Sequence, residues 1–328
     1  MRSAFWIPSR TAGNPRKEKR ANNVSDFKFG LVHAPVTPFV NGRVDFAGYG
    51  NVLDFHLAGG AQGLALPMHA GESVSLTVAE REALLEFAIK HIAGRVPIVA
   101  HVSEAGTAIA ASLASHAGKA GAAAVIATVP YYWTPPQHML VEHFMTIGKA
   151  ANLPLFVLNS PSEMNEVEIA SKSVVELLER LPNMAGLIDL SLDWQYMIEV
   201  ITVARAARSD FQLVSGTEYM ISAAAVGATG LLSPLAGVAP KLIGSLYKLC
   251  EAEKFTEARP AQEQAAILYR AFRDAGIASF KTGMRAMGRD CGAPRPPLAA
   301  LTDTESKTLL AELTAAGTTT SEPRGWVS

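Results

Sequence analysis

The sequence predicts an α/β fold, a (β/α)8 TIM barrel with a C-terminal helical extension, and two observations carry that expectation. From Gly30 onward, eight short and almost continuously apolar runs alternate with longer amphipathic stretches. Runs of that kind suit parallel strands covered on both faces. The eight repeats also spread over about 220 residues, the usual span of an eight-unit barrel.

In chain order, strands are expected at residues 31–36, 63–68, 97–101, 124–128, 154–158, 185–189, 211–215 and 229–233. Helices are expected between them at 78–92, 105–119, 137–150, 167–180 and 195–207. Thr77 followed by Glu80 reads as a capping box at the start of the first of these helices. Gly94, Gly121 and Gly227 each stand between a helical stretch and the next strand, where a left-handed cap is useful. After Pro240 the pattern becomes purely helical, over 242–252, 255–274, 279–289 and 304–315. The expected organisation is a basic tail over 1–28, the barrel over 29–238, and a helical appendix over 239–320 packed on the barrel.

Composition narrows the function classes. In 328 residues, 49% are hydrophobic and the net charge is -1, which offers no electrostatic footprint for nucleic acid. No apolar run has the length of a membrane span. The two cysteines, Cys250 and Cys291, make neither a disulfide framework nor a metal-like cluster, so a reducing cytoplasm is the expected setting. At the start of the chain Arg2, Arg10, Arg16, Lys17, Lys19 and Arg20 face one acid, Glu18. That stretch lacks the apolar segment of a secretory signal; a disordered tail or an upstream start codon is expected, with a transit peptide as the alternative.

Four local motifs coincide. They are Ala34-Pro35-Val36-Thr37-Pro38-Phe39 before Asn41-Gly42-Arg43-Val44-Asp45; Gly71-Glu72-Ser73 before Leu76 and Glu80-Arg81; Val129-Pro130-Tyr131-Tyr132 with Pro135; and Leu158-Asn159-Ser160-Pro161. In order and spacing this set resembles the dihydrodipicolinate synthase/N-acetylneuraminate lyase family over roughly residues 30–300. The resemblance implies a class I aldolase barrel with a helical C-terminal extension, assembled as a homo-oligomer, usually a tetramer built of dimers.

The departures from that family's pattern bear on chemistry. Ile188 stands where the resemblance implies the lysine that forms an imine with the substrate, and isoleucine has no nitrogen to do so. Leu158 stands at the position of a proton-shuttling tyrosine. Met68-His69-Ala70-Gly71-Glu72 replaces Gly-Thr-Thr-Gly-Glu, which puts His69 at the place of a relay hydroxyl. Glu163 replaces an arginine that often binds a second carboxylate. The flanking anchors hold the register at each of these places. Among other lysines, Lys90, Lys119, Lys149, Lys172, Lys248 and Lys254 fall on helices, and Lys241 and Lys281 lie in the C-terminal helices. A relocated imine is therefore not expected.

Other ionisable groups occupy the expected strand ends. His69 ends strand two, His101 ends strand three, Asp189 ends strand six and Glu218 follows strand seven. Such positions build barrel active sites. His69 and His101 are expected either as acid and base or as hydrogen-bonded lining. With no His-x-x-x-His spacing, no metal and no cofactor is assigned. Tyr132, Asn159, Asp189, Glu218 and Ser233 are the expected substrate-binding positions, with Tyr132 alternatively packing at a subunit interface. Glu72 and Ser73 are expected to brace a loop. His33, His56, His91, His116, His138 and His143 are expected to be structural or solvated. The function expected is a lyase-type reaction on a small oxo- or hydroxy-acid without a lysine imine; a non-catalytic ligand-binding or scaffolding relative is the alternative.

Overall fold

A computed structural model describes residues 27–326 of the chain. The basic start, expected to be a disordered tail, lies outside the described residues except for its last two. Strand β1 (Leu31–His33) leads into an antiparallel hairpin, β2 (Phe39–Val40) and β3 (Arg43–Val44), and then helix α1 (Phe46–Ala58). The remaining strands are β4 (Gly63–Leu66), β5 (Ile98–His101), β6 (Ala124–Thr128), β7 (Leu155–Asn159), β8 (Met184–Asp189), β9 (Gln212–Ser215) and β10 (Gly230–Ser233). Apart from the hairpin, all pair in parallel and close into a barrel in the order β1-β10-β9-β8-β7-β6-β5-β4. The expected (β/α)8 TIM barrel is therefore the fold.

Helices α2 (Val78–Ile92), α3 (Thr107–Ala120), α4 (Gln137–Ala151), α5 (Ser171–Arg180), α6 (Trp194–Ala207) and α7 (Met220–Ala225) link successive strands. Helices α8 (Pro240–Glu251), α9 (Phe255–Ala275), α10 (Ser279–Ala286), α11 (Asp303–Ala315) and α12 (Thr318–Ser321) follow the last strand. α8 takes the place of the eighth outer helix, with Pro240 against Gly59 at the end of α1. α9 to α12 follow it in the chain.

Local chemistry explains the boundaries. Thr77 and Glu80 form the reciprocal capping box at the start of α2, and loss of such a cap costs about 1 kcal/mol. Pro35 and Pro67 stand shortly beyond the paired residues of β1 and β4. With no N–H to donate, they help end strands that were expected to run longer. α5 begins four residues later than expected because side chains hold residues 167–170 as a loop. Asn159 Oδ1 accepts from the Ile169 amide at 3.3 Å, and Gln137 Oε1 accepts from that of Ala170 at 2.9 Å.

The strand period of two divides the core. Inward side chains, among them Val32, Ala65, Val99, Ile126, Phe156 and Ile188, fill the barrel. Outward ones, such as Leu31, Leu64, Leu155, Val157 and Leu187, pack under the helices. Phe29, just before β1, closes the barrel's lower end with its ring 4.9 Å from that of Phe156. At Gly186 a Cβ would strike the Gln212 carbonyl oxygen and the Phe156 ring, so only glycine lets these strands approach.

Candidate active site

The carboxyl ends of the strands open into a cavity of about 550 Å³. Inward-facing strand ends supply its floor, and α9 with the start of α10 supplies one wall. Leu158 and Leu232 lie on the floor, while Tyr269, Phe272, Ile277 and Phe280 come from the wall. The polar lining includes His69, His101, Glu163, Glu218 and Arg273, and no lysine is among the lining residues.

His101 shares the inward parity of Val99 on β5 and reaches the cavity. Its Nδ1 lies 2.9 Å from the Pro67 carbonyl oxygen. A carbonyl only accepts, so Nδ1 carries the proton and Nε2 keeps its lone pair. Burial, with Arg81 nearby, drives the His101 pKa down to about 3. Arg81 donates to the carbonyls of His101 and Ser103 at 2.8 and 3.0 Å and thereby fixes the end of β5. It also lies 3.5 Å from Glu104, which accepts from the Tyr131 hydroxyl at 2.8 Å.

His69 has the opposite electrostatics. It sits in a short 3-10 turn after β4, with Nδ1 3.3 Å from Glu163 Oε1. Partial burial disfavours its charge, but the hydrogen bond and charge of Glu163 outweigh that and raise its pKa. Burial likewise disfavours the Glu163 carboxylate, and the same contact lowers its pKa instead. The cavity therefore presents a histidine that favours its proton and one that refuses it. The first suits a proton or hydrogen-bond donor, and the second a neutral hydrogen-bond acceptor.

Glu218, after β9, is fully buried at the cavity. Burial pushes its carboxyl up to about 7, although the Ser233 hydroxyl donates to Oε1 at 2.6 Å and favours the charged form.

Four of the expected positions do not line the cavity. Leu158 and Ile188 face inward as register partners, so their neighbours Asn159 and Asp189 face outward. There Asn159 Nδ2 donates to Asp189 Oδ1 at 2.8 Å, and the Ser191 hydroxyl donates to Asp189 Oδ2 at 2.8 Å. Ser233 alternates with inward Leu232 and meets the site by donating to Glu218 and by accepting from the Ala34 amide. Tyr132 is 78% exposed, in a left-handed backbone conformation with φ 74°, while its neighbour Tyr131 lines the cavity. Ile188 itself is buried in the barrel interior beneath the cavity.

Glu72 and Lys281 meet beside the cavity and are not among its lining residues. Lys281 Nζ is 2.6 Å from Glu72 Oε1 and 4.0 Å from the centre of the Phe39 ring, and the Arg295 amide donates to Glu72 Oε2 at 2.7 Å. This buried pair ties the loop after β4 to the helical appendix. His33 and His56 are buried against each other, with their Nδ1 atoms 3.1 Å apart. Among the described residues, no group of three or more His, Cys, Asp or Glu is arranged to hold a metal ion.

Sequence reasoning missed Tyr269 and Arg273 as lining residues, and noted Glu163 only as a replacement. Tyr269 and Arg273 are four apart on α9, so a shared face was readable. That the face turns toward the barrel mouth follows from the tertiary packing of α9.

An eight-unit barrel whose ionisable groups converge at the carboxyl ends of its strands has the architecture of a small-molecule barrel enzyme. The chain belongs to the Dihydrodipicolinate synthetase family, whose model matches residues 28–316. It is 33% identical to a 4-hydroxy-tetrahydrodipicolinate synthase of Nitrobacter hamburgensis, covering 88% of this chain and 96% of the relative. Identity to the Roseobacter denitrificans enzyme of the same name is 32%, over 84% of this chain and 93% of the relative. Among solved structures, dihydrodipicolinate synthase from Aquifex aeolicus superposes with a TM-score of 0.85 at 27% identity, covering 90% of this chain and 100% of that one. The chain is thus lyase-like in its relatives and a barrel of the same build. Among the described residues, no helix is long and apolar enough to cross a membrane.

Proposed function

We propose that this protein is a lyase-type enzyme acting on a small oxo- or hydroxy-acid without a lysine imine. The observation that carries the reading is the convergence of His101, held neutral by burial, and His69, whose charged form Glu163 favours, on one cavity without a lysine in its lining. In a retro-aldol step on a hydroxylated oxo acid, the Glu218 carboxylate takes the hydroxyl proton, and His101 Nε2 orients that hydroxyl as a hydrogen-bond acceptor. The adjacent carbon–carbon bond then breaks, an aldehyde forms, and the electron pair passes to the enolate of the departing oxo acid. His69 in its charged form, which Glu163 favours, donates a hydrogen bond to that enolate oxygen. Glu218, with its carboxyl near neutrality, returns a proton to the enolate carbon.

Divergence from the family's imine chemistry belongs to the same reading. Ile188 at the lysine position, Leu158 at the tyrosine position and His69 at the hydroxyl position remove amine and relay together. His69 and Glu163, both replacements, are partners in space, which favours a rebuilt site over a decayed one. The reading also takes the protein as cytoplasmic and as a homo-oligomer, at least a dimer and most simply a tetramer.

A second reading, a non-catalytic binder or scaffold, is favoured by the aliphatic side chains of Leu158 on the floor and Ile188 beneath it. A turnover screen of oxo acids and aldehydes, run beside ligand-induced melting shifts, separates the two. Turnover lost in both His69→Ala and His101→Ala supports the enzyme; melting shifts with no turnover support the binder.

A further inference from the structure

We infer that the cavity's ligand is a monocarboxylate with an apolar body, aromatic or branched, whose carboxylate is held by Arg273 and Tyr269 on the C-terminal appendix. The inference rests on taking this cavity as the functional site, and it adds the ligand's chemical class.

Size and lining come first. A cavity of about 550 Å³ holds on the order of eighteen water-sized volumes at ~30 Å³ each. A three-carbon acid would leave most of it filled with solvent. The floor and the lower part of the α9–α10 side offer that solvent little to bond with: Met68, Leu158, Leu232, Phe272, Ile277 and Phe280 are all apolar. A ligand whose body displaces this water against those side chains gains affinity in proportion to the apolar area it covers.

The charged end follows from α9. Arg273 lines the cavity, and its guanidinium is bonded to Asp274 through Nε at 3.0 Å and Nη2 at 2.9 Å. Both side chains of that pair are more than half exposed, so it contributes little and exchanges readily for a ligand carboxylate. Tyr269, one turn earlier on the same face, also lines the cavity. Among the described residues its hydroxyl has no hydrogen-bonding partner, so it is available as a second donor. The remaining charged groups favour a monoanion over a dianion. Glu163 is paired with His69, Glu218 adds a carboxyl, and Arg273 supplies the permanent positive charge of the lining. The two donors belong to the appendix and the acid–base groups to the barrel, so the appendix selects what the barrel transforms.

The test is calorimetric titration of the full chain with three unreactive or minimal probes: 3-phenylpropionate, 3-phenylpropan-1-ol and pyruvate. The expected result is that 3-phenylpropionate binds at least tenfold more tightly than either of the others. Arg273→Gln should remove most of its advantage over the alcohol. Ile277→Trp, which fills the apolar wall from a half-buried position, should weaken 3-phenylpropionate by tenfold or more and leave pyruvate nearly unchanged. Circular dichroism confirms that both variants are folded. Pyruvate binding as tightly as 3-phenylpropionate, no binding of 3-phenylpropionate at millimolar concentration, or an unaltered preference in Arg273→Gln would overturn the inference. Binding as expected with no turnover of any oxo acid would instead overturn the enzymatic reading alone.

Discussion

His69 Nδ1 lies 3.3 Å from Glu163 Oε1, so side chains from the loops after β4 and β7 meet as an acid–base pair in the cavity wall. Their side chains are 47% and 39% exposed, so the contact adds well under 1 kcal/mol to stability. Its larger effect is on protonation. The histidine's raised pKa makes its contribution complete below the unfolded value near 6.5 and lost as pH rises through the folded one. The carboxylate's lowered pKa makes its contribution complete above about 4.5 and lost on acidification. The pair is therefore fully formed in the weakly acidic range between those limits.

Glu163→Gln should lower the His69 pKa, because the neutral amide removes the charge that works against burial. Titration of the imidazole by nuclear magnetic resonance reads this directly. An unchanged His69 pKa would mean that the pair does not form in solution.

With substrate in hand, kcat/KM should fall on the alkaline side with a pKa above the ordinary histidine value, reporting the loss of the His69 proton. Glu163→Gln should move that limb to lower pH. His69→Ala and His101→Ala should each cost about 100-fold or more. Losses confined to KM would assign both histidines to binding.

Stability should decline as pH falls below about 6.5. His33 and His101 have pKa values pushed down to about 3 by burial, and that of buried His56 is also well below the usual range. The unfolded chain binds protons there that the native state refuses, so each contributes up to about 1.4 kcal/mol of loss per pH unit within its window. Glu218, raised to about 7, acts in the opposite direction, since the native state holds its proton longer than the unfolded chain. Urea midpoints at pH 7.5, 6 and 5 should fall in that order. Replacing His33 and His56 together by apolar residues of similar size should flatten the trend.

Tyr132 and Trp133 project into solvent with their rings 5.1 Å apart, 78% and 59% exposed. Exposed aromatic pairs of this kind anchor interfaces. Light scattering at micromolar concentration should give at least a dimeric mass, and Tyr132→Asp with Trp133→Asp should shift it toward the monomer. A monomeric mass for the unmodified chain would contradict this.

The fold was legible because its signals are local. Apolar runs, the Thr77 cap and the glycines between helix and strand fix strand and helix order without reference to distant residues. The candidate site was legible where parity could be counted. His101 shares the inward parity of Val99, and the same rule applied to Leu158 and Ile188 would have turned Asn159 and Asp189 away from the cavity. Arg273 and Tyr269 were not legible, because the side of α9 that faces the barrel is set by the packing of the appendix. The partnership of His69 with Glu163 joins two loops far apart in sequence, and no spacing encodes it.

The central claim is chemistry without a covalent imine, and borohydride trapping tests it most directly. An imine needs an unprotonated amine beside a bound carbonyl and a relay to expel water. In this account Ile188 removes the amine, and Leu158 with His69 removes the relay. Ile188→Lys alone should therefore restore little activity. Incubation of the unmodified protein with pyruvate and borohydride, followed by mass spectrometry of the intact chain, should give an unchanged mass. A reduced pyruvyl adduct on a peptide carrying Lys281 or Lys241 would contradict the account and return the protein to imine chemistry.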